Sequence, residues 1–490
     1  ANTGHFLNTS VHKMSETSDR PTHKDGLTWL GISWLMLSDI VGTSVLTLNG
    51  VAARLGFVLT IAFICGLFPL AVYTSVLMSR TRTILSQIGV QEPLGTMGQV
   101  ATAAFQSERA GGIVTLVVYG YTALGQASYM LVLGNTLQQV FYSMSLCLPL
   151  AVLLSVVVLL IPTFGLRRLK DSVALCFFNS MLILAVIVIA LVRLGMNRPA
   201  CKHTYYFAPG LSFLVGLGAA TNVVYSFSGQ WMYFELIDTM AEPQDFPKAF
   251  LVSGPFMLIT YLAVALLGYW FGSGKLDLIG GMPHGPALQV VAVLLFMHVV
   301  IVYLIKSVVL IRYIHGRCSP SQVEKRSCRS YMQHGGLGLV LLSFSFLVSN
   351  MVPFFSQLLG IIGGVLAGPI SFLFPITLFL LAKGREEDLE ESSLDNEESV
   401  ELSVDIDGDA KLPSASSSST ESFEKRTPRR LAWRSLPAWE KLLLLITVFF
   451  IAATMIFGVA EEIRQVIDLW GEFGAPFDCH LLRESTQTCV

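Results

Sequence analysis

Eleven stretches of the chain are apolar enough and long enough to cross a bilayer core, which takes roughly 20 helical residues. They fall at about 28–50, 56–79, 111–134, 144–163, 171–194, 211–236, 249–272, 286–312, 336–352, 355–382 and 440–463. The ninth is short and is parted from the tenth only by a turn at Pro353. Composition agrees. Only 13% of the 490 residues are charged, against about 25% in a soluble domain, so the chain lacks the polar surface to face water. The expected fold class is all-α and integral to the membrane, with about 11 transmembrane helices.

Basic residues set the expected orientation. With the N-terminus in the cytoplasm, 24 of the 32 Lys and Arg fall on that side and seven on the other, with Lys306 left inside a span. An odd number of spans then carries the C-terminus to the extracytoplasmic side. Residues 1–27 read as a disordered cytoplasmic N-terminus. Residues 1–25 are polar, with three acids and three bases, and do not read as a secretory signal. Residues 28–382 form the core of spans 1–10, 440–463 form span 11, and 464–490 form an extracytoplasmic tail.

The segment 383–439 breaks this pattern. It holds 14 of the 34 acids, then a Ser-rich run from Ser414 to Thr420, then basic residues to Arg434. Such a composition buries too little surface to order itself, so a disordered acidic and Ser-rich cytoplasmic loop is expected. It is either a solvated tether or, with Ser and Thr beside a basic cluster, a phosphoregulated docking site. No basic face survives outside the short loops, which excludes nucleic acid as a partner.

Cysteines and motifs add further exclusions. Cys318 and Cys328 lie in a cytoplasmic loop, where thiols stay reduced. No second pair stands at metal spacing, so no metal site is expected. Cys201, Cys479 and Cys489 lie on the oxidising side. Cys479 and Cys489 close a short loop and are the expected disulfide, with Cys201 as competitor. There is no phosphate-binding glycine loop followed by lysine, and no catalytic residue or cofactor is assigned. The ionisable residues inside the membrane are too few for an acid–base pair, so a membrane enzyme has almost no support. An ion channel lacks its repeated pore-lining signatures.

Two spans carry polar, helix-weak residues at mid-membrane. Span 1 reads Leu37-Ser38-Asp39-Ile40-Val41-Gly42-Thr43-Ser44, and span 6 reads Val224-Tyr225-Ser226-Phe227-Ser228-Gly229-Gln230-Trp231. Paired interruptions of this kind in two halves of a chain point to a transport site, because non-helical backbone at that depth survives only where it lines a cavity. N–H groups at a half-helix start attract a carboxylate, and carbonyls at a half-helix end attract an ammonium or a metal cation. Together they fit an amino-acid zwitterion. The plainer reading is that the small residues let helices pack closely.

At these residues the chain resembles the amino acid/auxin permease family of the APC superfamily. Ser228-Gly229-Gln230, continued from Glu235 through Pro243 to Phe246-Pro247-Lys248-Ala249, is similar to the family's close of span 6. Gly268-Tyr269-Trp270-Phe271-Gly272 looks like its close of span 7, and Pro353-Phe354-Phe355 with Gly360, Gly363 and Pro375 resembles spans 9–10. In span 1, Asp39, Gly42, Leu46 and Leu48 match, while Ser44 stands for the second glycine and Asn49 for the proline. The resemblance implies a LeuT-type 5+5 inverted repeat plus one additional helix, and secondary transport of amino acids driven by protons or sodium. Carried over residue by residue, it implies substrate contacts at Gly42, Thr43, Ser44, Ser226, Phe227, Ser228 and Gly229.

Coupling is expected at Asp39 and Lys306. Asp39 lies about 16 Å into span 1, near mid-bilayer, where an acid is costly and marks function by default. Lys306 reads either as a lysine snorkelling to the cytoplasmic end of span 8 or as an ammonium standing in for sodium beside span 1. The second reading makes the co-transported ion a proton, with sodium as the alternative. Tyr225 and Tyr233 read as packing or pocket residues, His298 and Tyr303 as structural groups, and Glu235 as an inner-gate acid or a solvated helix end.

The expected function is therefore an amino acid symporter or exchanger. A sensor with the same site is the alternative, with its output through residues 384–439 and a cytoplasmic regulator as partner. The bilayer and the amino acid are the other partners. The one Asn-x-Ser/Thr site, at Asn8, falls on the cytoplasmic side, which leaves the plasma membrane and the vacuolar or lysosomal membrane both open.

Overall fold

The computed structural model describes residues 26–165, 172–196, 204–272, 277–322, 327–406, 431–473 and 476–479. Among these residues the fold is all-helical, apart from one isolated bridge between Leu27 and Met240. Span 1 is α1 (Trp29–Ile40) and α2 (Leu48–Leu55), and span 2 is α3 (Phe57–Gln87). A short α4 (Met97–Phe105) leads to α5 (Glu108–Val140), α6 (Leu148–Gly165) and α7 (Ser172–Met196). Span 6 is α8 (Phe213–Ser226) and α9 (Tyr233–Asp238), and span 7 is α10 (Phe250–Leu262) with α11 (Gly268–Gly272). Then come α12 (Pro286–Cys318), α13 (Cys328–Met351), α14 (Phe355–Ile362), α15 (Phe374–Ile406), α16 (Ala438–Ala453) and α17 (Val459–Phe473). Turns of π-helix at Ala263–Leu267, Gly363–Ala367, Pro369–Leu373 and Thr454–Gly458 join the pieces of spans 7, 10 and 11.

Nine of the described helices are long and apolar enough to cross a membrane, and α1 with α2, bent by 44° at the break, makes a tenth. The chain is an integral, multi-pass helical membrane protein. The segment expected at 211–236 is split into α8 and α9, and neither piece reaches the roughly 20 residues of a crossing by itself.

Caps explain where several helices begin. Thr28, Ser212 and Ser327 each accept a backbone N–H three residues ahead, and Pro286 opens α12 where no intrahelical N–H is needed. The helices outrun the apolar stretches. Helix α5 continues to Val140, α12 to Cys318 and α17 to Phe473, and the ninth span begins at Cys328 instead of near 336. A helix does not stop where lipid stops; it stops at a cap. The extracytoplasmic tail expected from 464 therefore begins as helix.

Two expectations are corrected. Residues 384–406 are not loop but the continuation of α15. Span 10 already supplies the costly nucleus, and the Glu- and Leu-rich sequence beyond it propagates the helix. Arg385 Nη1 reaches Ala103 O at 2.7 Å, and Lys383 lies 3.5 Å from Glu386. The Ser-rich run and residues 1–25 lie outside the described residues, as do Cys201 and Cys489.

The second correction is the disulfide. Cys479 pairs with Cys147, with Cα atoms 5.0 Å apart, and not with Cys489. The chain after α17 returns over span 9, where the Phe477 N–H donates to Asn350 O at 3.3 Å. That path brings Cys479 to the residue preceding α6. It also labels one end of the molecule, the disulfide end; the Leu27–Met240 bridge marks the other.

The bulkiest buried side chains, Trp231, Tyr233, Tyr261 and Phe227 among them, gather around the two broken spans. Leu116, Ile161 and Phe449 are exposed on the outside, where lipid would cover them.

Candidate functional site

Helix α1 ends at Ile40, in a run of β-branched residues and glycine that propagates helix poorly. Gly42 is extended (φ −117°, ψ −151°), and the chain resumes as a tight turn at Thr43–Thr47. In span 6, Ser226 Oγ bonds back to Asn222 O at 2.9 Å and Ser228 Oγ to Tyr225 O at 2.5 Å. Such side chains compete with the helical ladder, and the chain leaves α8 before a turn at Gln230–Met232. Each restart presents N–H groups with no intrahelical acceptor.

The breaks face each other across a narrow, nearly closed cleft with a cavity volume of about 10 Å³, room for no more than a water. Five of the seven expected contact residues line it: Gly42, Thr43, Ser44, Ser226 and Ser228. Phe227 and Gly229 do not. Phe227 turns into an aromatic cluster, 5.1 Å from the Tyr261 ring and 6.2 Å from Phe68. Gly229 is pressed against span 1: a Cβ there would fall 2.5 Å from Ile40 Cδ1 and 2.6 Å from the Tyr233 hydroxyl. A bulky residue at Gly229 therefore disturbs the packing itself and cannot report on binding alone.

Asp39 and Lys306 meet at the cleft wall. Lys306 Nζ lies 2.8 Å from Asp39 Oδ1, with the side chains 7% and 11% exposed. Lys306 also donates to the Tyr129 hydroxyl at 2.9 Å and sits 5.2 Å from the Trp231 ring centroid. Asp39 Oδ2 accepts the Trp231 Nε1–H at 3.0 Å. Lys306 is thus not snorkelling to the cytoplasmic end. It is held in the core by partners from spans 1, 3 and 6.

Three tyrosines were not read from the sequence as site groups. Tyr121 and Tyr129 of α5 line the cleft, and the Tyr121 hydroxyl lies 2.7 Å from Ser228 Oγ. Their eight-residue spacing on one helix was the available signal. Tyr261 of α10 places its hydroxyl 3.0 Å from Ile40 O and 2.5 Å from Ser226 O. One side chain thereby serves the carbonyl ends of both half-helices. Nothing in the sequence near Tyr261 announces that role.

The other candidates have structural places. Tyr225 lines the cleft, while Tyr233 packs edge-on to Phe246 and Phe250. His298 Nδ1 lies 3.2 Å from Asn179 O, and Asn179 Nδ2 donates to Ser38 Oγ at 2.9 Å. Tyr303 meets Ser345. Glu235 is half-buried, with Oε2 unpaired. Among the described residues no cluster of His, Cys, Asp and Glu is arranged to hold a metal.

Larger spaces lie on either side of the cleft. At the disulfide end a vestibule is lined by Thr47, Gln139, Asp277, Ser356, Gln357 and Leu469 among others. The loop after span 7 lids the span 1 break there, with the Leu278 N–H on Leu46 O at 3.1 Å. Burial pushes the Asp277 carboxyl up to about 6, although it accepts the Gly280 N–H at 3.1 Å. At the opposite end a second space is bounded by Arg82, Glu92, Asp238 and Asp245 among others, and Arg82 is 2.5 Å from Asp238 across it.

Comparison with known proteins matches the chain to the family of transmembrane amino acid transporter proteins over residues 25–393. A transmembrane transporter of Gibberella moniliformis is 26% identical over 399 residues, 73% of this chain and 77% of the relative. An N amino acid transport system protein of Neurospora crassa is 22% identical over 370 residues, 72% of this chain and 76% of the relative. The match runs through both breaks and both members of the buried ion pair, so the chain belongs to the transmembrane amino acid transporter family and is an amino acid transporter.

Proposed function

We propose secondary active transport by alternating access around the breaks of spans 1 and 6, in a LeuT-type 5+5 arrangement with span 11 appended, and with a proton as the coupled ion. The observation that carries this reading is the buried Asp39–Lys306 pair, 2.8 Å apart at the cleft wall. A charge at that depth is costly unless it is paired, so a change of protonation on either partner would unbalance the site. Lys306 takes the place a sodium ion would hold, and Asp39 is its counter-ion and proton partner. The N–H groups at Thr43 and Ser44 suit a substrate carboxylate, and the carbonyl ends of α1 and α8 suit its ammonium. With Asp39 and Lys306 neutralising each other, a neutral side chain suits the site.

The disulfide supports the orientation with eleven crossings. Seven helices of crossing length lie between Cys147 and Cys479. The two cysteines share a side only when the broken segment 213–238 is crossed as an eighth. An oxidised pair belongs outside the cytoplasm, which puts the N-terminus inside. The membrane is the plasma membrane or a vacuolar or lysosomal one.

The test is uptake of a panel of amino acids into proteoliposomes, with proton and sodium gradients imposed separately. Uptake rises as the outside is acidified and persists without sodium, and Asp39→Asn uncouples or abolishes it. Sodium-dependent uptake with no pH response, unchanged in Lys306→Ala, would sink the coupling. The unbroken run of α15 from span 10 to Ile406 supports a second reading, a sensor passing motion to a cytoplasmic regulator. Substrate binding without accumulation in the same vesicles would favour it.

A further inference from the structure

Span 11 carries two adjacent buried acids, Glu461 and Glu462, and neither lines the cleft. The Glu462 side chain is fully shielded, and its Oε1 lies 2.6 Å from Arg54 Nη1 and 3.5 Å from Asn222 Nδ2. Arg54 Nη2 lies 3.5 Å from Ser356 Oγ. These residues sit on four separate elements: Arg54 on α2, Asn222 on α8, Ser356 on α14 and Glu462 on α17. One ion pair thus ties the disulfide-end halves of spans 1 and 6 to spans 10 and 11.

Small residues shape the slot. A Cβ on Gly360 of α14 would fall 2.7 Å from Glu462 Cγ and Cδ. One on Gly218 of α8 would fall 3.0 Å from Glu461 Cγ and 3.4 Å from Glu462 Oε1. Glu461 turns instead to Arg464 at 2.9 Å and Gln465 at 3.1 Å. Arg54 is therefore the cation of Glu462. Gln465 in turn lies 3.3 Å from Gln357 of α14, a vestibule residue.

A fully desolvated carboxylate is tolerated only while its cation is in place, and the best-attested use of a buried pair is to select one arrangement over another. Here the arrangement selected is the one that holds α2 and α8 against span 11. Both half-helices lie beyond the breaks, between the cleft and the disulfide end. Thr47, at the floor of the vestibule, is fully buried in this arrangement.

We propose that Arg54–Glu462 is the latch of the outer gate, with Glu462 a positioning residue supplied by the appended span 11. The pair is closed when the cleft is shut toward the disulfide end, and it parts and hydrates when α2 and α8 swing away to admit substrate. This rests on the alternating-access reading above.

The experiment uses the full chain in right-side-out vesicles, with Cys201→Ser and Cys489→Ser as background and Thr47→Cys as reporter. The readout is the rate of alkylation by a membrane-impermeant maleimide. Glu462→Gln and Arg54→Gln each raise the rate about tenfold, within reach of an open state that starts at roughly 0.1–10% of the population. Arg54→Gln with Glu462→Gln raises it no further than one change alone, as expected of partners in a single bond. Glu461→Gln leaves it unchanged. The double variant buries no unpaired charge, so its rate decides the matter even where a single variant fails to fold. Rates equal to the parent's in the double variant, or effects that multiply independently, overturn the latch. Amino acid uptake by the parent is read in the same vesicles. Normal uptake with Glu462-independent alkylation overturns the latch alone, whereas no uptake overturns the reading on which it rests.

Discussion

At the break of span 1 the backbone itself is turned to the cleft. Gly42, Thr43 and Ser44 all line it, and a Cβ added at Gly42 would meet nothing closer than Asp39 O at 3.5 Å. At the break of span 6 the side chains of Tyr225, Ser226 and Ser228 line it, while Phe227 and Gly229 are turned into the packing against spans 1, 2 and 7. Charge divides in the same direction. Span 1 supplies Asp39, whereas span 6 answers with the neutral indole N–H of Trp231. A glycine in a broken membrane helix therefore has two distinct uses, exposing backbone to a ligand or letting a neighbouring helix come close. The sequence pattern is the same for both.

The largest test of this division is the charge. Lys306→Ala leaves Asp39 buried with Trp231 as its donor, and removing one partner of a buried pair costs about 3–5 kcal/mol. The drop should appear in thermal unfolding of the detergent-purified protein. Trp231→Phe removes a neutral donor to a charged acceptor, and costs about 1.5–3 kcal/mol. Equal losses in the two variants would mean that the indole of span 6 holds Asp39 as firmly as the ammonium of span 8 does.

Next in size is the packing. Gly229→Ala forces a methyl into the Ile40 side chain and the Tyr233 hydroxyl, and overpacking of this kind costs about 1–3 kcal/mol. The stability loss and the uptake loss should track each other, since the residue does not line the cleft. Uptake lost with full stability would return Gly229 to the binding surface.

The crossing segments and the existence of both breaks were legible, because apolar length and clustered Gly, Ser and Thr report directly on local helix stability. Asp39 and Lys306 stood out for the same reason, as charges in apolar runs. Their pairing was not forced by the sequence, since 267 residues separate them and only packing brings spans 1 and 8 together. Tyr121 and Tyr129 carry only their eight-residue spacing as a signal, and Tyr261 is indistinguishable in sequence from any packed aromatic. The Cys147–Cys479 bridge was hidden because loop proximity favoured Cys489, whereas the path of the tail decided the partner. Helix α15 outruns the end that its acidity suggests, because Glu propagates a helix that already exists.

A smaller effect belongs to Tyr261, which bridges the two breaks. Tyr261→Phe takes one donor from Ile40 O and Ser226 O. A hydrogen bond of this kind is worth about 0.5–1.5 kcal/mol net. Because the hydroxyl serves both half-helices, the loss should be felt at both breaks at once. Hydrogen exchange should quicken at the last turns of α1 and of α8 together. Quickening at α8 alone would show that the 2.5 Å contact to Ser226 is the working bond and the 3.0 Å contact to Ile40 a bystander.

The smallest effect on stability, and the sharpest contrast, comes from repeating the Gly229→Ala change at Gly42. The backbone there is extended, with φ −117° and ψ −151°, so an L-residue is admitted without strain. The nearest atom to the new methyl, at 3.5 Å, is in ordinary contact. Stability should therefore stay within about 0.5 kcal/mol of the parent. The methyl nevertheless lands at the cleft, which Gly42 lines and which must open around a substrate. A methylene's worth of room in a fitted pocket is worth about 1–3 kcal/mol of discrimination. Gly42→Ala should accordingly spare uptake of glycine and alanine and cut that of larger neutral amino acids by about tenfold or more, with unfolding unchanged. The measurement is competitive uptake across a side-chain series beside a melting curve. A Gly42→Ala protein that melts as early as Gly229→Ala and loses all substrates alike would erase the distinction between the two breaks.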